Sequence, residues 1–353
     1  MKDVNFLGIF TNEDEYISQK DLVMGYPHVV LLEDTDEIVF CDINESSIDY
    51  SKEYFTIEAL EDGLTVQLSE NASEYRIDNE EWISLDADTA TPSINSGQKI
   101  SFKITNPTLS LVGIGTFTVN KAFNIEGNIM SLLHGDNFEG QTDLSGKDYI
   151  FSNLFSQSIP LQKAENLVLP ATILAECCYE SMFYGCTSLI AAPELPATTL
   201  NWGCYNAMFR NCTSLTSAPQ LPAITLASVC YDSMFFGCEL LIITPELPAT
   251  TLAERCYSYM FYGCTSLTEA PELPATTLTY YCYENMFNGC NKLNYIKMLA
   301  TDISASECLS NWVDGVASSG TFVKNAAMTT LPSGESGIPE GWTVENDGNS
   351  VAM

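Results

Sequence analysis

Hydrophobic and polar positions follow one pattern in the first third of the chain and another beyond it. Between residues 60 and 120, apolar positions recur at every second residue in several short segments, and Asn, Asp, Gly and Pro separate them; the segments are 64–68, 81–85, 99–104 and 115–119. Period-two alternation is typical of half-buried β-strands. These segments therefore predict a small antiparallel β-sandwich-like domain.

From residue 169 onward the sequence repeats with a period of 26 residues. Each unit opens on Leu-Pro-Ala and continues through a Cys-Tyr pair, a Met-Phe pair and a second cysteine; the units begin at Leu169, Leu195, Leu221, Leu247 and Leu273. In the fourth unit, apolar residues fall at i, i+3, i+4, i+7, i+8 and i+11 from Ala253, the spacing of one helix face. The stretch 266–274 is bounded by proline and reads as a short strand. Because such a unit cannot close a core alone, the repeat predicts a solenoid of stacked units, each with a short strand and a helical turn.

The repeat accounts for 11 of the 13 cysteines, in two columns: Cys178, Cys204, Cys230, Cys256, Cys282 and Cys308, then Cys186, Cys212, Cys238, Cys264 and Cys290. Both columns lie on the apolar face, so we expect buried free thiols that act as small hydrophobic side chains. Zinc sites use cysteine pairs two to four residues apart, and spacings of 8 and 18 without histidine argue against a metal. Disulfides between successive units are geometrically open, although a reducing cytoplasm disfavours them. We expect no metal and no cofactor.

The repeat motif resembles that of a known family. Residues 260–268, Met-Phe-Tyr-Gly-Cys-Thr-Ser-Leu-Thr, and the Ala-Pro-Glu-Leu-Pro of 270–274 are similar to the BspA-like leucine-rich repeats. Such repeats are found in Bacteroidales surface proteins and in structural proteins of Bacteroidales-infecting, crAss-like phages. The resemblance covers about 165–298, and it implies a leucine-rich-repeat solenoid with a role in adhesion. A degenerate copy around Phe155 resembles a capping repeat, and the tail resembles a C-terminal cap.

These patterns divide the chain into four expected parts. A small β-rich module, 1–47, resembles N-terminal segments of such phage proteins, which implies attachment to a virion. The β-sandwich-like domain follows at 48–125, then the solenoid with its N-terminal capping repeat at 126–298, and the C-terminal cap at 299–353.

Charge restricts the classes of partner. The chain has 46 Asp and Glu against 14 Lys and Arg, a net charge of −32, and residues 1–100 alone hold 23 acidic and 5 basic residues. Nucleic-acid binding requires clustered Lys and Arg, so a nucleic-acid partner is excluded, whereas basic partners are favoured. No apolar run approaches the ~20 residues of a membrane helix, so we expect no membrane insertion. The N-terminus has no secretory pattern, and with Met1 as the native start we expect synthesis in the cytoplasm.

Candidate binding residues lie at positions outside the apolar face. The residue after Met-Phe is Tyr184, Arg210, Phe236 and Tyr262 in successive units, and nearby positions add Trp202, Tyr259 and Tyr280. Aromatic side chains on a rigid scaffold suit stacking on sugar rings or anchoring a protein partner. Local packing on the outer side of the solenoid is the alternative interpretation of the same residues.

Catalysis has little support in the sequence. There is no phased Ser/His/Asp set and no glycine-rich phosphate loop, and His28 and His134 are the only histidines. We expect a non-enzymatic virion protein (a head fibre, tail or decoration component), located in the virion and assembled in the bacterial cytoplasm. Its N-terminal region would contact capsid or tail proteins, its repeat would bind a host surface protein or glycan, and it could form a homo-oligomer. The alternatives are a bacterial cell-surface adhesin and, more remotely, a carbohydrate-active enzyme.

Overall fold

The computed structural model describes residues 48–104, 107 and 113–348, together with the backbone of four short strands nearer the N-terminus. The chain divides into two compact units, Met1–Asp49 and Tyr50–Met353. In the first unit, β1 (Ile9–Phe10) pairs antiparallel with β2 (Tyr16–Ile17), and β3 (His28–Leu32) pairs antiparallel with β4 (Ile38–Asp42). The other residues of the expected attachment module lie outside the described part.

The second unit begins with a 3₁₀ turn, Tyr50–Lys52, and a six-stranded mixed sheet. Its strands are β5 (Phe55–Ala59), β7 (Ser73–Ile77), β8 (Ile83–Leu85), β9 (Lys99–Lys103), β11 (Phe123–Asn128) and β12 (Leu161–Val168), in the spatial order β12-β11-β5-β9-β7-β8. β11 pairs antiparallel with β5 and parallel with β12. The remaining pair, β6 (Val66–Leu68) with β10 (Phe117–Val119), forms a separate antiparallel ladder.

The rest of the second unit contains few helices and strands. α1 (Ser131–His134) and the 3₁₀ turn Gly135–Asn137 follow β11. At the other end, β13 (Tyr295–Met298), β14 (Thr321–Lys324) and β15 (Thr343–Asn346) form a three-stranded parallel sheet. The residues between β12 and β13 form turns and isolated bridges.

Successive coils lie side by side between residues 143 and 318, an arrangement here called the coil stack. Equivalent residues of the five repeats are 26 apart, whereas the leading coil lies beside coil 1 with an offset of 28, as Phe151 does beside Tyr179. Coils 1 to 5 begin at Leu169, Leu195, Leu221, Leu247 and Leu273; a leading coil precedes them and a closing coil follows. Residues 177–185 of coil 1 and their equivalents in the other coils are here called the turn segment. Backbone amides donate to the next coil at every second residue of this segment, as Tyr179 N–H does to the carbonyl of Cys204 (3.0 Å) and Phe183 N–H to that of Met208 (2.9 Å). The amides between them bond within their own coil, as Met182 N–H does to the carbonyl of Tyr179 (3.3 Å). Within the turn segment this ladder has a direction, since each coil donates amides to the coil that follows it. Elsewhere in the coils amides also donate backward, as Ile190 N–H does to the carbonyl of Gln162.

Two columns of aromatic rings run through the core of the coil stack. Successive rings of the tyrosine column are 5.6 to 6.0 Å apart: Phe151, Tyr179, Tyr205, Tyr231, Tyr257 and Tyr283. Those of the phenylalanine column are 5.5 to 5.7 Å apart: Phe155, Phe183, Phe209, Phe235, Phe261 and Phe287. Each ring is at most 2% exposed, and each such burial stabilises the fold by about 1.5–3 kcal/mol.

The ends of the stack are closed by different parts of the chain. Phe117 of β10 stacks on Phe155 at 5.5 Å, so the sheet and the coil stack share one core. At the other end Trp312 covers both columns, with its ring 6.3 Å from that of Tyr283 and 6.1 Å from that of Phe287. Beyond Trp312, residues 335–338 accept the amides of the closing coil; Val313 N–H donates to the carbonyl of Glu335 and Asn311 N–H to the hydroxyl of Ser336.

The predicted fold class, a leucine-rich-repeat solenoid with a helical turn in each unit, is wrong. α1 is the one α-helix in the described part of the chain, and no residue of the five repeats is helical. An α-helix needs a negative φ at every residue, whereas every fourth residue of the turn segment has a positive φ, as at Cys177 (48°), Ser181 (53°) and Gly185 (72°). The apolar positions accordingly recur every four residues, and the segment forms successive four-residue turns.

The predicted β-sandwich is wrong as well. Within residues 55–128, five strands pair antiparallel in one sheet, and β6 and β10 form a separate two-stranded ladder. The parallel partner β12 comes from the chain beyond residue 125, where the sequence predicted only the solenoid. The alternating pattern identified half-buried strands, but it carries no information about which strands pair.

The positive φ of the glycines in the turn segment means that a side chain added there should destabilise the protein. Gly263 has a φ of +71°, and a Cβ there would meet only the Cα of Gly237 at 4.0 Å, so an added methyl has room. We expect Gly263→Ala to lower the free energy of unfolding by about 1–2 kcal/mol through backbone strain alone. Asn tolerates this region and occupies the equivalent position at Asn211 (φ 61°), so Gly263→Asn is the control and should cost less. Urea denaturation measures both, and equal costs would contradict the conformational explanation.

Candidate binding surface

The residue after each buried Met-Phe pair points away from the core and forms a row along the coil stack. Tyr184, Arg210, Phe236 and Tyr262 occupy this position in coils 1 to 4, and all four are half-buried. The Cζ of Arg210 lies 3.8 Å from the ring centre of Phe236, and the rings of Phe236 and Tyr262 are stacked with centres 4.5 Å apart at an angle of 5°. Since Arg210 and Tyr262 belong to the coils on either side, both faces of the Phe236 ring are covered.

Tyr259 extends this row sideways. Its ring lies 5.9 Å from that of Tyr262 at an angle of 37°. The structure therefore brings together four of the seven residues singled out in the sequence: Arg210, Phe236, Tyr262 and Tyr259. These four residues are here called the aromatic ridge, and within it neighbouring coils cover both faces of the Phe236 ring.

Trp202 and Tyr280 lie elsewhere on the same stack. They occupy the same position of coils 2 and 5, two residues before the Cys-Tyr pair, and their exposures of 45% and 44% are the largest among the predicted site residues. At a spacing of ~4.8 Å per coil, three coils separate them by about 14 Å. The Trp202 carbonyl accepts the amide of Cys177, and the Tyr280 ring lies edge-on against that of Tyr281 at 4.1 Å. Both are thus anchored on the scaffold and open to solvent.

A charged cluster that the sequence analysis missed lies beside the ridge. Arg255 bridges two carboxylates of neighbouring coils, with its Nε 3.6 Å from Oδ2 of Asp232 and its Nη2 3.3 Å from Oε2 of Glu284. The hydroxyls of Ser233 and Ser258 donate to Asp232 (2.8 Å) and Glu284 (3.1 Å). The two carboxylate side chains are 13% and 14% exposed, so one guanidinium and two buried carboxylates leave a net charge of −1.

Burial governs the proton affinity of this cluster. Burial raises the pKa of Asp232, and the hydrogen bond from Ser233 and the charge of Arg255 oppose that rise. Burial also raises the pKa of Tyr259, with Glu284 adding to the effect. No local motif signals these contacts, because the partners of Arg255 are 23 and 29 residues away in sequence and meet only once coils are stacked in register.

The described cysteines lie inside the fold. All 12 described cysteines are buried free thiols, in agreement with the sequence prediction. In the part of the chain that the structure describes, no group of three or more His, Cys, Asp or Glu side chains could hold a metal ion. An open groove of about 450 Å³, lined by Asp314, Glu335 and Glu340, lies at the closing coil. No described helix has the length and apolar character needed to cross a membrane.

Comparison with known proteins finds no family model, no curated protein and no solved structure that matches the chain. The similarity to BspA-like repeats therefore rests on the motif alone.

Proposed function

We propose that this chain is a non-enzymatic adhesion protein that binds a host-surface glycan or protein through the outer face of its coil stack. The observation that carries the proposal is the pair of exposed aromatic side chains, Trp202 and Tyr280, on one position of a repeated scaffold with a continuous hydrophobic core. Exposed aromatics held on rigid backbone lose little conformational entropy on binding, which is why such residues dominate binding energies. A separation of three coils between the two side chains suits an extended partner.

The charge of the surface restricts this partner. The cluster around Arg255 carries a net −1 and the whole chain −32, so an anionic polymer would be repelled. A neutral or basic ligand is favoured. The aromatic ridge would contribute ring edges and the Arg210 guanidinium at the side of such a contact.

We further propose that the protein is a virion component, a head fibre, tail or decoration protein, whose N-terminal unit contacts capsid or tail proteins. This setting follows from the resemblance of the repeat and of the N-terminal segment. Mass spectrometry of purified particles tests it separately from the binding function. Absence of the chain from particles, with the chain detected on the bacterial surface, would replace the virion by a bacterial adhesin.

Substitution of the two exposed aromatics tests the binding function. We expect Trp202→Ala and Tyr280→Ala each to weaken binding of the purified protein to host cells by about tenfold, since buried aromatic anchors typically contribute more than 1 kcal/mol. The thermal midpoint should stay unchanged because both side chains are exposed in the free protein. Flow cytometry with fluorescently labelled protein measures the first effect and calorimetry the second.

A matched control comes from the sheet. Ile83 is 49% exposed on the edge strand β8, outside the coil stack, so Ile83→Ala removes exposed apolar surface of similar character. Binding should be insensitive to this change. A Trp202→Ala/Tyr280→Ala double variant that still binds like the native chain would refute the proposed surface.

A further inference from the structure

The tyrosine column of the coil stack contains three hydroxyl groups that the fold leaves unpartnered. Tyr179, Tyr205 and Tyr231 are at most 1% exposed, and their hydroxyl oxygens have no hydrogen-bond partner among the protein atoms. Buried polar groups in folded proteins nearly always have a partner, either protein or ordered water. Three consecutive exceptions at one position of a repeat call for a common explanation.

The spacing of the column excludes direct hydrogen bonds between the hydroxyls. The rings of Tyr179 and Tyr205 are 5.6 Å apart at 10°, and those of Tyr205 and Tyr231 are 5.9 Å apart at 8°. Equivalent atoms of nearly parallel, equivalently placed rings are separated by about the same distances. A hydroxyl–hydroxyl bond needs about 2.7–2.8 Å, half of the separation.

We infer that one ordered water molecule lies between each successive pair of these hydroxyls, so that the three tyrosines and two waters form a hydrogen-bonded file inside the core. A water midway would be about 2.8 Å from each hydroxyl in the first pair and about 3.0 Å in the second, half of the two ring separations. Each water accepts from one hydroxyl and donates to the other. Tyr205, in the middle, serves both.

The hydroxyls are enclosed by the core. Burial, and then the nearby Cys178 and Cys204, hold the pKa of Tyr179 well above its ordinary value. Thiol sulfur is a weak acceptor, and buried waters typically make about three hydrogen bonds. Globular proteins hold about one buried water per 27 residues, which is close to one per coil of this 26-residue repeat.

The sequence determines where this row of hydroxyls and waters begins. In the leading coil the same position is Phe151, which stacks on Tyr179 at 5.7 Å and has no hydroxyl. Phe151 also shows that the column accepts a phenylalanine ring without rearrangement. Tyrosine-to-phenylalanine changes are therefore clean probes of the hydroxyls.

A high-resolution crystal structure of the full chain, together with two variants, tests the file. We expect density for one water within hydrogen-bond distance of each successive pair of hydroxyls. We expect Tyr205→Phe to lower the thermal midpoint by about 2–4 °C, because it removes a hydroxyl that serves two waters, and Tyr179→Phe to lower it by less. Tyr184→Phe, at an outward half-buried position, is the control and should leave the midpoint unchanged.

A core without these waters predicts a different change in the thermal midpoint of Tyr205→Phe. If the hydroxyls were buried without water, Tyr205→Phe would remove an uncompensated polar group and the midpoint would rise or stay constant. Absence of water density between the rings, or a midpoint that does not fall in Tyr205→Phe, overturns the inference. Neither result bears on the binding function, since these side chains lie inside the stack.

Discussion

Raising the pH from 8 to 10 in the presence of a reductant is expected to lower the stability of this protein substantially. Burial raises the pKa of five column thiols to about 12, those of Cys186, Cys204, Cys238, Cys282 and Cys290. In the unfolded chain the same thiols titrate near pH 9, so the unfolded state loses their protons first. The free energy of unfolding is therefore unaffected by them below about pH 9 and falls between about pH 9 and 12.

The size of the effect follows from the number of thiols. Each one lowers the free energy of unfolding by about 1 kcal/mol at pH 10, so the five together remove on the order of 5 kcal/mol. Domains are typically stable by only 5–15 kcal/mol. Urea denaturation at pH 7.5, 8.5, 9.5 and 10 measures the slope.

The buried thiols are identified by how steeply the free energy of unfolding falls with pH, and not by its value at pH 7.5. A Cys238→Ala/Cys290→Ala variant will be less stable at pH 7.5 because of the lost packing, but its stability should fall less steeply above pH 9. The two missing thiols correspond to about 2.7 kcal/mol per pH unit. A native protein whose stability is constant from pH 8 to 10, or an unchanged slope in the variant, would contradict buried neutral thiols.

Removal of Trp312 should cost about 3–5 kcal/mol, the range for large aromatic side chains in a core. The ring is fully buried, covers the ends of both aromatic columns, and contacts Phe322 edge-on at 6.1 Å. Its indole N–H donates to the carbonyl of Gly337 at 2.8 Å, and Trp312→Ala leaves that acceptor unpaired. In a linear stack each coil depends on its neighbours, so the closing coil should open first.

Hydrogen exchange and denaturation together measure this change. Amides of residues 298–318 should lose protection in Trp312→Ala before those of coil 1 do. Trp202→Ala is the matched control, because the same side chain at 45% exposure should change stability by less than about 0.5 kcal/mol. Equal destabilisation by the two substitutions would show that Trp312 does not hold the end of the stack.

The repeat allowed the interior of the coil stack to be predicted from sequence, because any residue repeated every 26 positions must meet its own copy. The burial of Cys256, Tyr257, Met260 and Phe261, each at most 2% exposed, follows from that phase. The conformation between them could not be predicted in the same way. Spacings of three and four residues fit both a helix and a chain of four-residue turns.

The sequence does contain a signal that distinguishes a helix from a chain of four-residue turns. Cys256, Met260 and Cys264 are spaced by four residues each, as are Tyr257 and Phe261, whereas a helix face drifts at 3.6 residues per turn. Glycine or asparagine at the last turn position, as at Gly263, also indicated a positive φ. Residue type gives no such indication at Tyr259 (φ 54°), where the ladder between coils determines the backbone.

The candidate surface also has one part that the sequence predicts and one part that it does not. Its row of aromatics is visible in the sequence because it too has a fixed phase. The stacking of Phe236 between Arg210 and Tyr262, and the bridging of Asp232 and Glu284 by Arg255, depend on which coils are neighbours and on the register between them. Such contacts can be deduced only after the coils are known to stack in order.

The directed ladder makes the two ends of the coil stack chemically unlike. In the turn segments coils donate amides forward, so there the closing coil offers donors and the leading coil offers acceptors. The carbonyls of Ile150 and Leu154 in the leading coil already accept the amides of Ile114 and Phe117. Two copies could join end to end by continuing this ladder, as edge strands do in fibres. Residues 335–338 occupy the donors at Asn311 and Val313, and the stack is thereby terminated at a finite length. The C-terminal segment thus works against polymerisation as well as for stability.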